Sequence, residues 1–285
     1  MKINRTSPDK HEYLQILLHI AKVPKTLNYI GALPESRIPS VAIVGTRKPT
    51  SYGKEVTQKL ACNLAKKGVV VVSGLALGVD SIAHRAALDT RGTTIAVLAN
   101  GLPDIYPATH RELAKDIVDH GGAILSEYKD YEKAKSWSFL ERNRIVAGLS
   151  DAIIITEAAS RSGTLNTAMH ALEQGKEVFV VPGQITSPMS VGCHQLLKQG
   201  ANIVTSADDV LEIIAPQLLA GQGTLPLGDT PLETKIIELI ASGVRDGDEL
   251  QQKADSSATD LSTALTMLEL SGSIKNLGAN QWTIR

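Results

Sequence analysis

A chain of 285 residues, 43% hydrophobic and 21% charged, has room for one large domain and a small second one, with an ordinary globular composition. Its formal net charge of −1 excludes an overall electrostatic pull toward nucleic acid, so any phosphate binding has to be local. Aromatic side chains make up only 4% of the chain, too few for a broad base-stacking platform.

Residues 1–38 contain one apolar patch, Tyr13-Leu14-Gln15-Ile16-Leu17-Leu18, broken afterwards by Pro24, Gly31-Ala32-Leu33-Pro34 and Pro39. The pattern predicts an N-terminal helical extension and a turn. No signal-peptide-like apolar stretch occurs there, and no apolar run approaches the roughly 18 residues of a membrane span. The expected compartment is a reducing cytoplasm, with no membrane partner. Cys62 and Cys193 have neither a CxxC nor spaced histidines beside them, so they read as packing residues; no metal and no cofactor is expected.

From residue 39 to 215 apolar strands alternate with helical patterns. Strands are expected at Val41–Val44, Val69–Val72, Thr94–Leu98, Ala123–Leu125, Ala152–Thr156, Glu177–Val181 and Asn202–Val204. Their continuous Val/Ile runs indicate burial on both faces. The alternation predicts an α/β fold: an extended Rossmann-like, doubly wound, mostly parallel sheet, with ligands at the carboxyl ends of its strands.

Three loops follow such strands. In Gly45-Thr46-Arg47-Lys48 a glycine allows close backbone approach, and Arg47 offers a bidentate phosphate fork. Ser51 is placed at the N-cap of the next helix. Ser73-Gly74-Leu75-Ala76-Leu77-Gly78-Val79-Asp80 forms the second loop, with Gly78 turning the chain into a helix on which Asp80 and His84 are close enough to touch. Ser162-Gly163-Thr164 opens a third helix and a third NH-rich anion site. Between them Phe139-Leu140-Glu141-Arg142-Asn143-Arg144 sets two arginines two apart, facing different sides of a helix, with Phe139 as either a base-stacking ring or a core residue. No Walker loop, no G-x-G-x-x-G and no paired-carboxylate or nucleophile motif is present, so no catalytic residue is assigned.

Residues 216–229, rich in Pro, Gly and Leu, read as a linker. Beyond them, over 230–285, three helical patterns and two short β runs make a winged-helix plan. Residues 226–285 hold five Lys/Arg and nine Asp/Glu, a net of −4, whereas residues 41–144 hold 15 and 11, a net of +4. Phosphate repulsion therefore argues against groove reading by the winged helix, which reads instead as a protein-docking module.

Taken together these loops resemble the DNA processing protein A family (DprA, also called Smf). The resemblance rests on Val41–Arg47 with Ser51-Tyr52-Gly53, Ser73–Asp80 with Ala83-His84, and Thr94–Leu102 with Tyr106-Pro107. It continues through Ser126-Glu127-Tyr128, Phe139 with Arg142–Ser150, Ser162–Leu165 with Thr167-Ala168, and Val181-Pro182-Gly183. It implies a single-strand DNA binder that dimerises, protects incoming strands and helps load a RecA-type recombinase, without enzymatic activity. Carried over by position, Gly45, Thr46, Arg47, Ser73, Gly74, Arg142, Arg144, Ser162, Gly163 and Thr164 are the strand-binding candidates. Lys48, Ser51, Gly78 and Phe139 join them on the loop reading above. Departures are His110, where the family usually has Asn, Leu140, where Pro is common, and an N-terminal segment too short for the helical domain of longer members. The alternative is a nucleotide-processing enzyme of the lysine-decarboxylase-like phosphoribohydrolase type, whose Pro-Gly-Gly-x-Gly-Thr loop is replaced here by Ser160-Arg161-Ser162-Gly163-Thr164.

Overall fold

The computed structural model describes residues 2–219, 228, 230–278 and 280–284, which divide into two compact units, 1–216 and 217–285. The larger unit is built on a nine-stranded sheet. Its parallel strands are β3 (Ser40–Val44), β4 (Val70–Ser73), β5 (Thr94–Val97), β6 (Ala123–Ser126), β7 (Ala152–Ile155), β8 (Glu177–Val180) and β9 (Asn202–Ile203). Two antiparallel strands, β1 (Asn4–Thr6) and β2 (Leu27–Gly31), complete it in the order β1-β2-β6-β5-β4-β3-β7-β8-β9.

The N-terminal segment differs from the helical extension expected of it. β2 pairs with β6 in the register Tyr29↔Leu125, and β1 closes that edge. Asn28, buried in mid-strand, is accommodated because its side-chain amide donates to the Tyr128 carbonyl at 2.8 Å. The apolar patch forms a 3-10 helix, Glu12–His19, whose Tyr13, Leu14 and Leu17 are buried in the main core.

Successive strand residues point to opposite faces, and both faces are covered. Val70, Val72, Ile95, Val97, Ile153 and Ile155 pack with Ile145, Val146 and Leu149 of α4 (Ser136–Leu149) and Ala168 and Ala171 of α5 (Thr164–Glu173). Ala96, Leu98 and Ile124 pack on the other side with Leu113, Ala114 and Ile117 of α3 (Arg111–Asp119). α1 (Ser51–Lys66) and α2 (Val79–Asp89) pack against each other, with α2 also against β3, β4 and β5. The chain runs from β3 through β4 and β5 to β6 on one side, then crosses back to β7, β8 and β9 on the other. The carboxyl ends of β3 and β7 therefore flank the switch point of the sheet, the position where open α/β sheets bind ligands. Two helices follow β8 and β9: α6 (Val191–Lys198) and α7 (Ala207–Ile214), the latter begun by a Ser206/Asp209 capping box.

The smaller unit contains α8 (Pro231–Ala241), α9 (Gly247–Ala254) and α10 (Ala258–Leu270), then the hairpin β10 (Ile274–Gly278) and β11 (Gln281–Ile284). Thr230, Asp246 and Ser257 cap the three helices. Ile236, Ile237, Leu250, Leu261, Leu265, Leu268, Ile274 and Trp282 form a core of their own, the winged-helix arrangement expected. Of the expected linker, Pro216–Leu218 form a 3-10 turn; residues 220–227, Asp229 and the wing-turn residue Ala279 lie outside the described residues.

Candidate nucleic-acid interface

A cavity of about 550 Å³ opens at the switch point. The three predicted loops converge on it: Gly45, Thr46 and Arg47 after β3, Ala76 and Asp80 at the start of α2, and Ser162, Gly163 and Thr164 after β7. Helix α4 closes the remaining side with Ser136, Phe139, Leu140, Arg142 and Asn143. Phe139 is no core residue. Its ring stands half-buried on the rim, with the Arg47 guanidinium 5.4 Å from its centroid and the exposed Tyr106 ring at 5.6 Å. No carboxylate among the described residues pairs with Arg47, so this cation is available to a ligand phosphate.

Arg142 lies deeper and is committed to the protein. Its Nη1 donates to the carbonyls of Gly74 (2.7 Å) and Val97. Position 74 has to be glycine for this: a Cβ there would lie 2.5 Å from Arg142 Nη2. Gly78 adopts a φ of +81°, with a would-be Cβ 2.4 Å from the Thr46 carbonyl, where the first and second loops meet.

The structure changes the role of the second loop. The Asp80 carboxylate accepts from the backbone N–H of Gly74 (3.0 Å) and Ala76 (3.3 Å), filling the nest that a phosphate was expected to occupy. Burial pushes the Asp80 carboxyl up from its ordinary range, opposed by Arg142 and those two amides. Burial likewise lowers Arg142, opposed by Asp80. Asp80 does not bond His84, whose Nδ1 lies 2.7 Å from Thr94 Oγ1 instead. At the third loop, Ser162 Oγ accepts from the Thr164 N–H at 3.2 Å, so that amide is also engaged.

Several predicted residues stand outside the cavity. Arg144, two positions beyond Arg142, faces the other way, pairs with Glu127 and lines a separate hollow beside β6. Ser51 is the first residue of α1; Thr50 is the cap, its hydroxyl accepting from the Gly53 N–H at 3.1 Å, and this corrects the capping assignment. Ser73 is buried and donates to the Ile43 carbonyl at 2.7 Å. Gly74 opens only onto a small recess beside Phe139, Gly78 supports the loop junction, and Lys48 stands exposed beyond the rim. Conversely Tyr106, Ser136, Leu140, Asn143 and Thr167 line the cavity although none is among the strand-binding candidates. Asn143, between the two arginines, donates its amide to Asn166 Oδ1 at 3.3 Å, tying α4 to α5 across the site. Among the described residues no cluster of metal-ligating side chains occurs, and no helix is long and apolar enough to cross a membrane.

Fold and cavity thus define a Rossmann-like α/β domain with an open switch-point cavity, followed along the chain by a winged helix. Residues 4–215 match the family model of DNA recombination-mediator protein A, and residues 222–280 match the DprA winged-helix domain. The chain belongs to the DNA recombination-mediator protein A family. It is 43% identical over 204 residues to Protein Smf of Escherichia coli, covering 72% of this chain and 54% of that one. It is 44% identical over 172 residues to the DNA processing protein DprA of Bacillus subtilis, covering 60% and 58%. The chain spans a little over half the length of these curated relatives. Among solved structures, DprA of Streptococcus pneumoniae superposes with a TM-score of 0.69 at 39% identity, covering 75% of each chain. DprA of Helicobacter pylori, whose structure was determined for its single-stranded DNA binding mode, superposes with a TM-score of 0.67 at 33% identity, covering 76% of this chain and 97% of that one.

Proposed function

We propose that this chain binds single-stranded DNA at the switch-point cavity, without catalysis, and acts as a homodimer that protects the strand and delivers it to a RecA-type recombinase in the cytoplasm. The observation that carries the reading is the rim pair: an exposed Arg47, free of any carboxylate among the described residues, beside the half-buried Phe139 ring. A guanidinium fork suits one backbone phosphate, and an aromatic face suits the adjoining base whatever its identity. Thr46, Ser162 and Thr164 add hydroxyls along the cavity wall. The single-strand binding of the Helicobacter pylori relative supports the ligand, and the family's description as a recombination mediator supports the role.

The test is Arg47→Ala, titrated with fluorescent oligothymidylate at several salt concentrations. Loss of one charge-assisted phosphate contact lowers affinity by about ten- to a hundredfold. It also flattens the salt dependence by about 0.7, one phosphate on a single strand. The fold remains intact, since an exposed side chain contributes within about 0.5 kcal/mol. Unchanged affinity at fixed salt would refute the reading, as would release of free base when the wild type is incubated with nucleoside monophosphates.

A further inference from the structure

A second cavity, of about 650 Å³, lies beside the first at the same edge of the sheet. The segment from Thr46 to Thr50 runs from one to the other, with Thr46 and Arg47 lining the first and Thr50 the second. Glu157 pins it at both ends: the Thr46 N–H donates to the Glu157 carbonyl at 2.8 Å, and Thr50 bonds the Glu157 carboxylate through its N–H (2.9 Å) and hydroxyl (2.6 Å). Arg47 faces the first cavity and Thr50 the second, with Lys48 exposed on the segment between.

The contents of the second cavity are different. None of its nine lining residues is a cation, and the Glu157 carboxylate forms part of the wall, so it is unsuited to phosphate. What it offers is an exposed aromatic ring. Tyr52 is 47% exposed, yet its ring is held at both ends, by the first turn of α1 and by a hydroxyl that donates to the Pro182 carbonyl at 2.8 Å. An exposed ring that is already fixed loses little conformational entropy when a flat ligand covers it. Ser51, Gln184 and Ser187 supply hydroxyl and amide groups around that ring, suited to the polar edges of a base.

We propose that this cavity is a second nucleobase subsite, in which Tyr52 stacks a base of the same strand while the intervening phosphate crosses the Arg47-Lys48 segment. The inference rests on the single-strand reading of the first cavity and extends it by one residue class: the first subsite grips phosphate and base, and the second takes a base alone. It also gives Ser51 and Lys48 places on the path of the strand.

The experiment compares wild type, Tyr52→Leu and Tyr52→Phe with oligothymidylates of increasing length, alongside bromodeoxyuridine photocross-linking of the wild type with peptide mapping. Tyr52→Leu is expected to lose about five- to a hundredfold in affinity for long oligonucleotides, the range of one base stack on an aromatic ring, and nothing for the shortest that binds. Tyr52→Phe keeps most of the affinity because the ring remains. Cross-links are expected at Tyr52 as well as at Phe139. If the wild type binds strands but Tyr52→Leu matches it at every length, or cross-links form at Phe139 and never at Tyr52, the second subsite is refuted while the first stands. If the wild type binds no single strand, the underlying reading fails instead.

Discussion

His84 provides a test of the packing beneath the site that is independent of any ligand. It sits on α2, wholly buried, with Nδ1 2.7 Å from Thr94 Oγ1. The Thr94 hydroxyl itself donates to the Val71 carbonyl at 2.7 Å, so the imidazole donates from Nδ1 and its Nε2 carries only a lone pair. Among the described residues Nε2 has no hydrogen-bond partner, and a proton placed there would find no acceptor. Burial, reinforced by the nearby His110 and Arg142, pushes the imidazole down to about 3. In the unfolded chain the same ring titrates near 6.5. The native state thus binds fewer protons, and its stability is full above about pH 6.5 and declines as pH falls toward 3. By about pH 5 the loss assignable to this one group is on the order of 2 kcal/mol, or roughly 4–8 °C in Tm for a unit of this size. The assay is urea unfolding of the wild type and His84→Gln at about pH 7.5 and 5, the glutamine amide retaining a donor for Thr94. The wild type should lose about 2 kcal/mol more than the variant between the two conditions, the other titrating groups cancelling in the comparison. Equal losses in the two proteins would show that His84 is not held neutral, and the packing argument would fall.

Two further outcomes follow from the geometry. Gly74→Ala drives a methyl into the Arg142 guanidinium and displaces it from the Gly74 and Val97 carbonyls; thermal unfolding should report a loss of about 3 kcal/mol, and the double variant with Arg142→Met should lose less than the sum of the single changes. Deleting residues 222–285 should leave oligonucleotide affinity unchanged, since the exposed face of α10 carries Asp260 and Glu269 and no cation; a deletion that abolished binding would place DNA contacts in the winged helix.

Much of the fold was legible because the physics is local. Seven strands announced themselves as short apolar runs, the central ones rich in Val and Ile as a sheet covered on both faces requires, and their predicted ends fall within about one residue of those observed. β1 and β2 were not legible: Asn4-Arg5-Thr6 is polar, and the Leu27–Gly31 strand carries an asparagine whose burial depends on a carbonyl 100 residues away. Helix α7 does carry a local signal, the capping box spelled by Ser206 and Asp209. In the site, the residue types of the three loops were visible and their convergence followed from the parallel topology. What spacing could not show was which amides are already taken. That Arg142 and Arg144 diverge was foreseeable from the helix; that Arg142 is tied down by two carbonyls and Arg144 by Glu127 depends on contacts distant in sequence.

Those occupied amides bear on what the cavity suits. A loop that cradles a mononucleotide phosphate does so with free backbone N–H groups. Here Asp80 fills those of Gly74 and Ala76, Ser162 takes that of Thr164, and the Glu157 carbonyl takes that of Thr46. Donors facing the opening are therefore largely side chains: an exposed guanidinium, several hydroxyls and an amide, bordered by the Phe139 and Tyr106 rings. Such a surface gives up the tight grip on one terminal phosphate that a nucleotide enzyme needs. It retains what a polymer needs, modest contacts to each successive phosphate and flat faces for bases of any identity. Built-in carboxylates and carbonyls thus favour a strand over a nucleotide on a fold that can host either.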